Sequence, residues 1–158
     1  MITTVDTNIL LDILIPDTKF CLESKKLLDD AIQKGSITIS EIVYAELSSQ
    51  FKSHDDLEHF LKDTGIKLIP TNKRSLHLAG EMWMIYSKRK KKVLRCPQCG
   101  DTQEIFCNKC GSKVPFRYHI ISDFIIGAHA LFQSNVLLTR DRGFYKGYFK
   151  NLTIKMSG

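Results

Sequence analysis

An α/β fold, a parallel sheet of four to five strands layered between helices, is predicted by three observations. Short β-branched or apolar runs recur along the 158 residues: "ITTVD", "SITIS", "IKLI", "NVLLT" and "LTIKM". Longer stretches with apolar residues at helical spacing lie between them. Strands that alternate with helices imply a parallel sheet covered on both faces. One segment, residues 88 to 117, interrupts the alternation; the 128 residues left without it suffice for a complete small α/β domain.

The elements follow in order. "ITTVD" reads as a buried strand ending at Asp6, and "TNILLDILI" as a helix that Pro16 stops. Residues 20 to 34 place Phe20, Leu27, Leu28, Ala31 and Ile32 near one face and end at Gly35, although Ser24 falls on the same face. "SITIS" is the second strand, followed by a helix around Val43, Leu47 and Phe51 that carries Glu46. A short acidic helix fits residues 55 to 63, and "IKLI", closed by Pro70, is the third strand. Residues 73 to 91 form a helix with Leu76, Ala79, Met82, Trp83 and Tyr86 on its apolar face. "ISDFIIGAHALF" is an apolar helix starting near Asp123, "NVLLT" the fourth strand, and "LTIKM" a candidate fifth.

No run is long and apolar enough for a membrane span, and no secretory leader is visible at the N-terminus. Four of the five cysteines are paired as C-x-x-C, which suits metal binding in a reducing compartment and makes cytoplasm the expected location. Cys21, left over, reads as a small buried apolar residue. The net charge of +6 is unevenly spread. Residues 88 to 117 carry nine Lys or Arg against Asp101 and Glu104, whereas the rest of the chain has 14 basic and 15 acidic residues. A cationic module on a near-neutral body points to a polyanion such as nucleic acid.

Four carboxylates are candidates for chemistry. Sites in open parallel sheets form at the carboxyl ends of strands. Asp6 ends the first strand, where a buried carboxylate needs a partner. Asp141 lies just past the fourth strand, and reads alternatively as a turn residue. Asp123 opens an apolar helix, and reads alternatively as its N-cap. Glu46, between Ala45 and Leu47, reads alternatively as a solvated helix position.

Taken together, "TVDTNILLD", "VYAEL", "ISDFIIGAHA" and "LLTRDRGFY" resemble, in order, the four acidic motifs of PIN-domain ribonucleases, most closely the VapC-like toxin nucleases of toxin–antitoxin pairs. The resemblance covers the chain except residues 88 to 117. It implies a three-layer α/β/α nuclease domain over residues 1–87 and 118–158, with Asp6, Glu46, Asp123 and Asp141 as the catalytic cluster that binds Mg²⁺ or Mn²⁺. Asn8 and Thr139 match polar positions that support the cluster. The implied reaction is endonucleolytic hydrolysis of RNA leaving a 5′-phosphate and a 3′-hydroxyl. The chemistry is consistent: clustered carboxylates bind hard divalent ions, which lower the pKa of a bound water. An antitoxin and a homodimer are the partners that the resemblance implies.

The spacing C-x₂-C-x₇-C-x₂-C, with Cys96, Cys99, Cys107 and Cys110, is that of a four-thiolate site, and Gly100 and Gly111 permit the tight turns it needs. It resembles a zinc ribbon inserted as residues 88–117, with a structural Zn²⁺; rubredoxin-like iron is the alternative. Another branch of the PIN family, the ribosomal-RNA maturation nucleases, also pairs this domain with a ribbon, so maturation of ribosomal RNA is a second reading. A non-catalytic RNA-binding protein is a third. Lys88, Arg89, Lys90, Lys91, Lys92 and Arg95, with Arg140 and Arg142, are the candidate RNA contacts, although lysines at a helix end also complement its dipole. Phe144, Tyr145, Tyr148 and Phe149 suit either stacking on bases or packing on the sheet edge. His119 and His129 do not read as ligands, and His129 fits a satisfied core residue.

Overall fold

Four residues, Ile2–Val5, form the central strand β1 of the computed structural model, which describes residues 1–16, 18–89, 94–95, 99, 101–114 and 120–156, with the backbone alone for Arg89, Leu94, Arg95 and Arg142. There follow α1 (Thr7–Leu14), α2 (Cys21–Lys34), β2 (Ser36–Ile39), α3 (Glu41–Ser48), α4 (His54–Thr64), β3 (Lys67–Leu68) and α5 (Lys73–Arg89). Then come β4 (Leu94–Arg95), β5 (Thr102–Gln103), α6 (Ile121–Gln133), β6 (Val136–Leu138), α7 (Arg142–Tyr148) and β7 (Ile154–Lys155).

The main sheet has the order β3-β2-β1-β6-β7, and each adjacent pair is parallel. Thr3 sits opposite Ile37 on one side and Val136 on the other. Such a sheet needs both faces covered, and the buried Val5, Ile37, Ile39, Leu137 and Leu138 supply apolar surface for the helices to cover. The result is the predicted three-layer α/β/α arrangement with five strands.

Local chemistry sets the element ends. Ser40 and Ser53 cap α3 and α4, their side chains accepting from the Val43 and Asp56 amides. Gly65 ends α4 in the left-handed region with φ of 68°. Gly127 answers a different demand: a Cβ on it would lie 2.4 Å from the ring of Phe149, so only glycine lets α6 approach the end of α7.

Helix α7 is an element that the sequence pattern did not mark. Its aromatics pack inward rather than waiting for bases: Phe144, Tyr145 and Phe149 are buried. Phe124 of α6 is the hub. Its ring lies 4.9 Å from Phe144 and 5.2 Å from Tyr148, both edge-to-face, and 5.7 Å from Trp83 of α5. This cluster holds α5, α6 and α7 together.

Ser24 on the apolar face of α2 is fully buried and donates to Oδ2 of Asp12 at 2.6 Å, so it is a bonded core residue, not a flaw in the stripe. Cys21 is half-buried.

Between α5 and α6 the described residues form a separate two-stranded antiparallel sheet, Leu94 opposite Gln103 and Arg95 opposite Thr102, which shares no strand with the main sheet. A second turn follows, bridged at Phe106 and Lys113. Among the described residues no helix is long and apolar enough to cross a membrane.

Candidate acidic active site

The sheet order fixes where a site forms. From β1 the chain moves outward through β2 and β3 on one side, then returns to the other side with β6 and β7. The direction therefore switches between β1 and β6, and crevices open at such switch points beyond the strands' carboxyl ends. Asp6 is the residue after β1; Thr139 and Asp141 follow β6.

Asp6 is nearly enclosed, 6% exposed. Its Oδ2 accepts from Thr139 Oγ1 at 2.6 Å, Asn8 Nδ2 at 2.8 Å and Tyr145 OH at 3.3 Å. Asn8 also reaches Thr139 Oγ1 at 3.3 Å and accepts from the Arg140 amide at 3.1 Å, tying the start of α1 to the loop after β6. Burial pushes the Asp6 carboxyl up to about 6, working against the hydrogen bonds from Thr139 and the Thr7 amide, while the charges of Asp123 and Glu46 push it further up. Asn8 and Thr139 are thus both hydrogen-bonded to Asp6.

The other three carboxylates are half-buried and face the same region. The Tyr145 hydroxyl is held well above its usual range by burial and then by Asp6, Asp123 and Asp141, so it lies in the field of three of the four acids. Each acid also has a local partner. Glu46 Oε2 accepts from the Thr7 hydroxyl. Asp123, third residue of α6, accepts from the Ile120 amide at 2.9 Å, and Asp141 caps α7 by accepting from the Phe144 amide at 3.1 Å. The alternative readings of Asp123 and Asp141 as helix-start residues therefore hold, whatever further role their carboxylates have. Among the described residues no three of these carboxylates gather as a ready-made ligand set.

Two residues of this site lie within the quoted motifs, but the sequence pattern gives neither a place beside the acids. Thr7 follows Asp6 at the first position of α1, and its link to Glu46 needs α3 to pack on α1. Tyr145 reaches Asp6 only because α7 folds back over the switch point.

Among the candidate RNA contacts, Lys88 is exposed near the end of α5. Arg140 is turned inward, its guanidinium 3.3 Å from the buried Asp12 and over the Phe20 ring at 4.6 Å. Lys90, Lys91 and Lys92 lie outside the described residues, as does His119; Arg89, Arg95 and Arg142 are described by backbone only. His129 is fully buried but only half satisfied: Nδ1 lies 3.1 Å from Thr71 Oγ1, and Nε2 has no partner. Thr71 gives its hydroxyl proton to Glu41 at 2.6 Å, so Nδ1 carries the proton and Nε2 is a bare acceptor.

Of the four module cysteines, Cys96 lies outside the described residues, Cys99 and Cys110 are exposed and Cys107 is half-buried. Residues 107 to 112 form the tight turn expected of a knuckle. The Gly111 amide donates to the Cys107 carbonyl and the Cys107 amide to the Ser112 carbonyl, both at 2.8 Å, with Gly111 at φ of 71°. Hydrogen bonds from Ser112, then from Cys107, hold the Cys110 thiol below its usual range. The described residues do not by themselves assemble a metal site there.

No curated protein matches the chain in sequence. Solved structures share its fold. VapBC2 from Rickettsia felis, bound to a DNA fragment from its promoter, is 20% identical with a TM-score of 0.62, the match covering 100% of both chains. VapBC-1 from nontypeable Haemophilus influenzae is 16% identical with a TM-score of 0.60, covering 99% of this chain and 98% of that one. FitAcB from Neisseria gonorrhoeae is 17% identical with a TM-score of 0.57, covering 98% of this chain and 96% of that one. The PIN domain family matches residues 3–150, which take in Asp6, Glu46, Asp123 and Asp141, and the chain belongs to that family.

Proposed function

We propose that the chain is a metal-dependent endoribonuclease and the toxin of a toxin–antitoxin pair. One observation carries the reading: Asp6, Glu46, Asp123 and Asp141, from four separate segments, share one electrostatic neighbourhood at the sheet's switch point. A set of carboxylate oxygens suits Mg²⁺ or Mn²⁺ better than softer metals. An ion held by these four acids supplies an activated water at neutral pH and positive charge for the scissile phosphate.

The chain's own residues prepare the site. Asn8 and Thr139 hold Oδ2 of Asp6 and so fix the carboxylate's orientation. Thr7 holds Glu46, and ion binding competes with that hydrogen bond. The crevice walls exclude bulk water from Asp6, which strengthens its attraction for a cation.

Residues 1–87 and 118–158 form the nuclease unit in this reading, and 88–117 an inserted basic module. Cys96, Cys99, Cys107 and Cys110 hold a structural Zn²⁺ there; the knuckle turn at residues 107 to 112 supports this. Lys88, Arg89, Lys90, Lys91, Lys92, Arg95 and Arg142 meet RNA phosphates. Arg140, clamped on Asp12, contributes less to RNA and more to the fold. The VapBC and FitAB assemblies of similar fold support an antitoxin peptide as partner, and paired C-x-x-C cysteines accord with a reducing compartment such as the cytoplasm. A homodimer accords with the family.

The test uses purified full-length chain, RNA and Mn²⁺. Asp6→Asn should abolish cleavage and leave RNA binding as tight or tighter. Equal cleavage by parent and variant would expose a contaminating nuclease and defeat the reading.

A further inference from the structure

We propose that Tyr145 is a positioning residue of the acidic site, its phenol clamping Asp6 while its helix holds Asp141. The inference rests on the metal-site reading above and adds to it the last residue of the fourth acidic segment, to which the resemblance gives no place at the acids.

Three side-chain donors meet Oδ2 of Asp6, and they come from three separate segments: Asn8 from α1, Thr139 from the loop after β6, and Tyr145 from α7. The first two adjoin acids already assigned to the site. Thr139 also accepts from the Asp141 amide at 3.0 Å, and Tyr145 makes a second tie between Asp6 and Asp141, through a helix rather than a loop. Its backbone amide donates to the Asp141 carbonyl at 3.4 Å, so it stands one helical turn beyond the residue whose carboxylate caps α7. Its hydroxyl reaches Asp6 at 3.3 Å. The distance between Asp141 and Asp6 is thereby set through one rigid ring.

The ring has little freedom to do anything else. Tyr145 is 1% exposed and packs against Phe144 at 5.0 Å and Phe149 at 6.4 Å. Its hydroxyl faces a carboxylate oxygen that accepts, and is therefore the donor of this hydrogen bond. A neutral donor on Oδ2 satisfies that oxygen without adding a charge that would repel a cation. Groups that orient a metal ligand from behind act on metal affinity.

Tyr145→Phe keeps the ring and deletes only the hydroxyl. The measurement is Mn²⁺ affinity by titration calorimetry on the full chain, beside the melting temperature without divalent ions. The expected result is a roughly tenfold weaker Mn²⁺ affinity, the scale for removing such a partner, with the melting temperature almost unchanged. Affinity within twofold of the parent overturns the proposal. So does an affinity loss accompanied by a collapse of the melting temperature, because the hydroxyl would then serve the fold rather than Asp6. Asp6→Asn runs in parallel: if that variant still binds Mn²⁺ like the parent, the acidic site itself is misassigned, whatever Tyr145→Phe does.

Discussion

Thr139 donates its hydroxyl to Asp6 at 2.6 Å across the switch point of the sheet, joining residues 133 apart in the chain. The bond is short and ends on a buried carboxylate, the geometry in which a neutral donor matters most. Thr139→Val keeps the shape and removes the donor. Asp6 should then be pushed further up, and Mn²⁺ affinity at pH 7 should fall by about an order of magnitude. Calorimetry at pH 7 and pH 8 checks this; the deficit should be smaller at pH 8. An unchanged affinity at both values would show that Thr139 only packs.

Asp6 also makes stability depend on pH with an unusual sign for a carboxylate. Its pKa is 3.8 as a free side chain and about 6 in the fold, so between those values the folded chain holds the proton more tightly than the unfolded one. The stabilising contribution of that proton is full below about pH 4 and lost as pH rises through 6. Above pH 6 the ionised, desolvated Asp6 therefore costs roughly 1 to 3 kcal/mol. Asp6→Asn keeps an acceptor for Thr139, Asn8 and Tyr145 and carries no charge. Without divalent ions it should be more stable than the parent at pH 7.5 by about that amount, and near parity at pH 4, as read by urea unfolding. A variant less stable than the parent at pH 7.5 would sink this account.

The parts of the structure legible from sequence were those written in local pattern. Buried strands show as β-branched runs, and Gly35 and Pro70 mark where elements stop. Asp6 and Asp141 could be placed at a site because strand ends are visible and sites follow them. Helix α7 was not legible: "RGFYKGY" contains two glycines and offers no clean stripe over its seven residues. With α7 went Tyr145, whose role exists only after α7 crosses the switch point. Thr7, and Ser24 paired with Asp12, have the same character, since each is explained by a partner on another helix. Arg140 shows what pattern reading leaves out: a basic residue beside an acidic motif reads as a phosphate contact, and its pairing with Asp12 is visible only in the fold.

That pairing predicts how Arg140 behaves. Asp12 is 3% exposed and has Ser24 and Arg140 as partners, while Arg140 also covers the Phe20 ring. Removing one member of a buried pair leaves the other uncompensated; because Arg140 is partly exposed, the cost is set lower than for a fully buried pair, about 1 to 3 kcal/mol. Arg140→Ala should therefore destabilise the chain by that amount, and adding Asp12→Asn should recover part of it. RNA affinity and its salt dependence should change less than in Lys88→Ala, whose side chain is exposed. If Arg140→Ala instead kept full stability and flattened the salt dependence, the guanidinium would belong to RNA after all.

The cysteine module makes the last prediction. Its described hairpin is small, exposes Ile105, Phe106 and Val114, and pairs with no strand of the main sheet. A two-stranded unit of this size has too little apolar burial to hold itself together in water. Metal ligation is the source of stability that its cysteine spacing offers, and ligation requires thiolates, which the low Cys110 thiol favours. Purified chain should therefore carry about one zinc per molecule, as in four-cysteine sites. Cys107→Ser should lose that zinc and open residues 94 to 114 to protease, while the β1–β6 core keeps its melting temperature, since the two sheets share no strand. Mn²⁺ affinity at the acidic site should be unaffected in that variant. Metal analysis by mass spectrometry, limited proteolysis and a thermal melt read the three outcomes separately. A chain that binds no zinc yet resists protease in this segment would mean that packing, rather than ligation, holds the module.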